Sequence, residues 1–283
     1  MLVNLKEILE IAERENIAIG MFNATGLDSL DAVIKAAEEL NQPVIIAHAE
    51  VHNVYNDISL VGPAMIAAAQ NAKVPVCVHL DHGVSLEMIY RALRLGFTSV
   101  MIDASHLPYE ENLRVTKEVT EIAHAMGASV EAELGRLVTA EAGSTEEVDQ
   151  TLKAEDFYTN PEEAKAFVEA TGVDALAIAF GTSHGFYTQK PKLDFDVIKN
   201  VRAATGLPLV MHGGSGVSEE GFTTSIKNGI RKINYYSYMS KAGYMAAKEV
   251  MESGKTSYLH DVEFAAKQAM LEDVKKAITI FSK

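Results

Sequence analysis

The stretch PVCVHLDHGVSLEMIYRALRLGFTSVMIDA, residues 75–104, carries the fold in miniature. PVCVHLD (75–81) and SVMIDA (99–104) are short runs, mostly apolar on both faces, as parallel strands covered on both sides should be. Between them, Ser85 is placed to cap a helix and Gly96 to end one in the left-handed conformation. Working outward, similar runs recur at AIGMFN (18–23), PVIIAHA (43–49), SVEAEL (129–134), DALAIAF (174–180), PLVMH (208–212) and RKINYYS (231–237). LDSLDAVIKAAEEL, ENLRVTKEVTEIAHAM and PEEAKAFVEAT between them place apolar residues at helical spacing. Gly127, Gly172, Gly206 and Gly229 each stand after a helical pattern and before a strand, while Asn160-Pro161 and Asp194 mark helix starts.

Alternation of this regularity means βαβ units with parallel strands. About eight of them in 283 residues favour a closed (β/α)8, or TIM, barrel over an open doubly wound sheet, and no GxGxxG follows the first strand. No composition break suggests a second domain, so residues 1–283 are read as one α/β barrel. The longest irregular segment, about 135–156, has the length of a lid or binding loop. The N-terminal MLVNLKEILEIAEREN reads as a charged amphipathic helix and not a signal peptide, and the segment from about Val262 to Phe281 as a final amphipathic helix.

Charge and composition narrow the function. With 25 Lys plus Arg against 39 Asp plus Glu, the net charge is −14, which argues against binding nucleic acid. The single cysteine, Cys77, excludes an internal disulfide and fits a reducing, cytoplasmic setting. No apolar run has the roughly 18 residues of a membrane span.

In a barrel of this kind the site is built at the C-terminal ends of the strands. The polar residues there are Asn23, His48, Glu50, Asp81, His82, Asp103, Glu131, Glu133, His184, His212, Asn234 and Ser237. Three histidines from three strand ends, His82, His184 and His212, form a common catalytic zinc set. Asp81 can serve as a ligand, as a ligand's support or as a general base, although strand alternation points it away from His82. Glu131 and Glu133 share one face and are read as facing the lumen, with Asp103 nearby. The glycine-rich turns 181–185 and 213–216, followed by Asn234 and Ser237, offer backbone N–H groups to a phosphate.

PVCVHLDHG, VEAELGRL, GTSHGFY, HGGSG and KIN occur in the order and at the spacing of the class II, metal-dependent ketose-bisphosphate aldolases, the family that this chain resembles over nearly its whole length. The resemblance implies a fructose- or tagatose-bisphosphate type of cleavage to dihydroxyacetone phosphate and an aldehyde. It implies a catalytic zinc on His82, His184 and His212, with Asp103 and Glu133 at a second, mobile position, and room for a monovalent cation. It gives Asp81 the proton of the C4 hydroxyl and Glu141, in the long loop, the proton at the carbanion carbon. Asn23, Gly185, Gly213, Ser215, Asn234 and Ser237 would hold the substrate, a sugar phosphate. A homodimer or homotetramer follows from the resemblance alone, with the final helix offered as a surface.

Three departures concern the substrate. Val138 replaces a small residue in the mobile loop, Tyr235-Tyr236-Ser237 replaces smaller or acidic residues, and Ala49-Glu50 stands where a small hydroxyl residue often holds a distal phosphate. An acceptor aldehyde other than glyceraldehyde 3-phosphate is therefore a live alternative, with a deoxy-, keto-acid or sulfo-sugar phosphate as substrate. Lys232 would be the nucleophile of a Schiff-base mechanism, and the histidines would also suit metal-assisted hydrolysis or a non-catalytic sugar-phosphate binder. Phe22-Asn23-Ala24 in place of an HxH on the first strand disfavours the hydrolase.

Overall fold

The apolar runs become eight parallel strands closed on themselves in a computed structural model, which describes residues 1–135, 157–187 and 190–283. They are β2 (Ile19–Asn23), β3 (Val44–Ala49), β4 (Val76–Gly83), β5 (Ser99–Ile102), β6 (Ser129–Leu134), β7 (Ala175–Ile178), β8 (Leu209–Met211) and β9 (Ile230–Asn234). Each pairs with its sequence neighbour, and β2 pairs with β9 to close the barrel. The fold is the (β/α)8 barrel expected.

Alternation along the strands divides the core in two. Val44, Ile46, Val76, Val78 and Leu80 face the helix layer, while Met21, Ile45, Ala47, Cys77, Ala177 and Val210 fill the lumen's lower half. Leu5, Ile8, Leu9 and Ala12 of α1 (Leu5–Glu15) join the second group, so this helix stoppers the N-terminal end of the barrel. The amphipathic N-terminus therefore does what its pattern indicated, with one difference. Leu2–Val3 forms a short strand, β1, on β4, because Asn4 caps α1 through reciprocal bonds with Glu7 and starts the helix only at Leu5.

The helices α2 (Leu27–Leu40), α5 (Tyr109–Ala125) and α6 (Pro161–Thr171) lie where their periodicity put them. Ser85, Asn160 and Asp194 cap α4 (Leu86–Leu95), α6 and α7 (Phe195–Thr205) as expected. Two expectations change. Ser237 lies past the end of β9 and opens α9 (Ser237–Ser253). The final helix, α10 (Leu259–Phe281), buries Leu271, Val274, Ala277, Ile278 and Phe281 within its own chain. That apolar face is not free for a second copy; the exposed apolar residues nearby are instead Tyr244, Met245, Leu259 and Phe264.

Candidate metal and substrate site

The last residues of β4 carry the problem that alternation posed, because Asp81 and His82 are neighbours yet both reach the mouth. The chain solves it with a break in pairing. Leu80 is opposite Val100 and Gly83 opposite Ile102, and between them His82 takes the left-handed conformation, φ 42°. Gly83 is required there, since a Cβ would meet the Met101 carbonyl oxygen at 2.8 Å. The bend turns both side chains to one side.

Asp81 is buried and accepts from two amides, Asn23 Nδ2 at 2.9 Å and Asn234 Nδ2 at 3.1 Å. Burial pushes its carboxyl up, but His82, Lys232, His212 and His79 together outweigh this and hold it below the usual carboxylate range. Asp103 shows the same balance: burial raises it, and His82 with Ser105 brings it well down. An ionised Asp103 2.7 Å from His82 Nδ1 keeps a proton on that nitrogen and turns Nε2 toward the site.

His212 is arranged in mirror fashion. Its Nε2 lies 2.8 Å from Glu131 Oε1, and Glu131, raised by burial but lowered more by Lys232 and His212, sits at about 2. An ionised Glu131 holds the proton on Nε2 and turns Nδ1 toward the site. His82 Nε2 and His212 Nδ1 then face each other at 2.9 Å and share a hydrogen bond. With Asp103 and Glu131 each holding a proton on the far nitrogen of its ring, that bridge makes the pair cationic, and a metal ion can take the place of the proton.

The third imidazole, His184, follows β7 and stands 4.9 Å from His82 and 5.9 Å from His212, ring centre to ring centre. Burial first, then the two neighbouring imidazoles, pushes it down to about 3, so it enters the site neutral. Donor atoms of His82, His184 and His212 lie within 4.8 Å of one another, as do those of a second group, His82, Asp103 and Glu133. Glu133 Oε2 is buried, lacks a hydrogen bond, and lies 3.4 Å from His212 Nδ1. Burial, with Asp103 beside it, raises this carboxyl well above its ordinary value. Three imidazoles with converging donor atoms, carboxylates behind two of the rings and a buried Glu133 oxygen without a hydrogen bond fit a divalent metal.

Beside this cluster a cleft of about 350 Å³ is lined by Asn23, Asp81, His82, His184 and Asn234 on one side. Gly185, Gly213, Ser215 and Ser237 line the other, so the structure brings together at one mouth the residues that the sequence pointed to. Gly213, φ 64°, admits no side chain because a Cβ would collide with the Ser183 backbone. Glu141 and Val138 lie outside the described residues.

Three residues take parts that the sequence did not suggest. Tyr187 accepts from the Ser183 N–H and donates to the Gly213 carbonyl, both at 2.8 Å, and so locks the two glycine turns together. Its signal was the aromatic end of GTSHGFY. Glu50 does not face the cleft as a charge opposed to phosphate; it accepts from Val84 N, Ser85 N and Ser85 Oγ at 2.7, 3.1 and 2.7 Å. Lys232 is wholly buried and paired with Glu131 at 2.9 Å, and it is not among the residues lining the cleft, which removes the Schiff-base reading.

A family model described as fructose-bisphosphate aldolase class-II matches residues 3–283. The chain belongs to that family. This aldolase is 40% identical over 278 residues to an Escherichia coli K12 protein, YdjI, described as uncharacterized, with 97% of each chain covered. It superposes on the crystal structure of the YdjI aldolase from the same organism with a TM-score of 0.87 and 38% identity, over 99% of this chain and 97% of that one. It shares its fold with the fructose-bisphosphate aldolase of Campylobacter jejuni, with a TM-score of 0.83 and 22% identity, over 99% of this chain and 95% of that one. The chain is therefore a lyase of a generally metal-dependent family. Among the described residues, no helix is long and apolar enough to cross a membrane.

Proposed function

We propose that this aldolase reversibly cleaves a ketose 1-phosphate or 1,6-bisphosphate to dihydroxyacetone phosphate and an aldehyde, using zinc held by His82, His184 and His212. The observation that carries the reading is the convergence of His82, His184 and His212, whose donor atoms lie within 4.8 Å of one another, with Asp81 lining the cleft next to them. When bound, the metal supplies Lewis-acid stabilisation of the negative charge that develops beside the substrate carbonyl. Asp81 Oδ accepts the C4 hydroxyl proton as the C3–C4 bond breaks, and the Asn23 and Asn234 amides keep that carboxylate in place. Backbone N–H groups around Gly185, Gly213 and Ser215, with the hydroxyl of Ser237, hold the phosphate. This is how a chain of charge −14 can accept an anion: the grip is local and built from backbone. The proton at the carbanion carbon falls to Glu141 on the resemblance alone. Asp103 and Glu133, with His82, would hold a metal at a second position.

One observation favours an acceptor other than glyceraldehyde 3-phosphate. A second pocket, about 940 Å³, shares Tyr236 and Ser237 with the cleft and is walled by the rings of His52, Tyr55, Phe186 and Tyr244. The one Lys or Arg among its described lining residues is Lys241, whose ammonium lies 5.0 Å from the centre of the Phe186 ring. Rings suit a hydroxylated or apolar tail better than a phosphate. The test is release of dihydroxyacetone phosphate from fructose and tagatose 1,6-bisphosphates and from ketose 1-phosphates with altered distal groups, with and without a chelator. Chelator-sensitive release is expected, fastest where the distal group is not phosphate. Release that survives full metal removal would overturn the zinc mechanism, and efficient cleavage of fructose 1,6-bisphosphate would overturn the altered acceptor. A homodimer or homotetramer is proposed with it, checked by light scattering.

A further inference from the structure

Lys232 lies on β9 beneath the cleft and is wholly buried. Its ammonium has two sets of partners. One is Glu131, whose Oε2 and Oε1 lie at 2.9 and 3.2 Å. The other is the side-chain oxygen of Asn234, two residues along the same strand, at 2.7 Å. Each partner hands the constraint to a reacting group. Glu131 Oε1 also receives His212 Nε2 at 2.8 Å, and Asn234 Nδ2 donates to Asp81 Oδ1 at 3.1 Å.

An ammonium can only donate. Facing Asn234, it fixes the amide oxygen toward itself and so turns the NH2 toward Asp81, a carboxylate that can only accept. Facing Glu131, it keeps a carboxylate that can only accept, so His212 must donate from Nε2 and offer Nδ1 to the site. We propose that Lys232 is a positioning residue of this aldolase: one buried ammonium orients the metal-binding imidazole of His212 through Glu131 and the proton-accepting carboxylate of Asp81 through Asn234. The proposal rests on the reading of His212 and Asp81 given above.

Stability alone is a poor account of the pair. A buried ion pair costs desolvation on both sides, and replacing both members by neutral residues of similar size is often neutral or stabilising. Glu131 and Lys232 also lie off the cleft wall, so neither is placed to touch substrate.

The experiment is the double variant Lys232→Met/Glu131→Gln, which removes both charges together and leaves no unpaired one buried. Its metal-free melting temperature is expected to match that of the metal-free wild type. Zinc affinity, read by competition with a chelating dye, is expected to fall about 10–100-fold, as for other losses behind a metal ligand. The visible spectrum of the cobalt-substituted protein should change in band position, because His212 is no longer held in one tautomer. At saturating metal, kcat should fall while KM for the phosphate-bearing substrate holds, since the glycine turns are untouched. A double variant with wild-type affinity, cobalt spectrum and kcat would overturn the proposal. So would failure to fold, which would make the pair structural. A wild type that binds no metal would instead sink the zinc reading, and this proposal with it.

Discussion

At the scale of single residues the site works by fixing protons. Asp81 must be an acceptor in a buried place, and two amides plus a cationic surround keep it so. Asp81→Asn preserves shape and removes the base, so kcat is expected to fall by about 10²–10⁴ while bound zinc stays at wild-type stoichiometry by atomic absorption. Turnover at the wild-type rate would take the proton from Asp81. His48 illustrates the opposite case, a histidine outside the chemistry. It is buried and lies near His52, Asn53, Asp57 and Arg91. Burial first, and His52 second, pull it from 6.5 to about 4. The unfolded chain thus binds this proton more readily than the folded one. Its contribution to stability is full above pH 6.5 and is lost as pH falls toward about 4. The amount is about 3 kcal/mol, since each tenfold difference in proton affinity between the two states is worth about 1.4 kcal/mol. His48→Leu, compared with wild type by urea denaturation in chelator, should lose that part of the acid sensitivity; identical pH slopes would refute it. Position at a strand end alone does not separate His48 from His82; the face on which each stands does.

Elements explain what can and cannot be read from sequence. Strands and helices are legible because a period of two or of 3.6, punctuated by Gly96, Gly172 or Asn160-Pro161, is local information. The break in β4 is not, because a left-handed histidine is held there by partners distant in the chain. Glu50, the first residue of the 3-10 turn Glu50–Val54, binds Val84 and Ser85, which lie 34 and 35 residues later. Read alone, a glutamate at a strand end looks like a charge in the pocket; in the fold it clamps the turn that presents His82. Ser237 looks like a strand residue for a related reason: KINYYS is rich in strand formers, yet α9 begins there without a side-chain cap. Glu50→Ala leaves two backbone N–H groups at the start of α4 without their acceptor. It is expected to cost about 1–3 kcal/mol by thermal denaturation and to weaken zinc binding through His82. If zinc affinity were unchanged at that loss of stability, the clamp would be unconnected with the metal.

For the whole molecule, the consequence of the site is that metal and fold are linked. His82, His184 and His212 come from the end of β4, the loop after β7 and the end of β8, so they meet only when the barrel is closed. Without a metal, the closed barrel shares a proton between His82 and His212 at 2.9 Å and leaves a buried carboxyl oxygen of Glu133 without a hydrogen bond. A metal that takes the place of that proton binds the native state and has far less to bind in the unfolded chain, where one cysteine and scattered histidines offer no cluster. At a free concentration a thousand times its dissociation constant, that preference stabilises by about 4 kcal/mol. For a chain of this size the gain corresponds to a rise in melting temperature of roughly 10 °C. Calorimetry of the zinc-loaded protein against its chelated form should show this rise, and His212→Gln should abolish most of it. The N-terminal half of the lumen, filled by α1 and aliphatic side chains, should hold the secondary structure in both forms, so circular dichroism at low temperature should not change. A melting temperature indifferent to the chelator would mean that the imidazole pair is bridged by a proton and not by a metal.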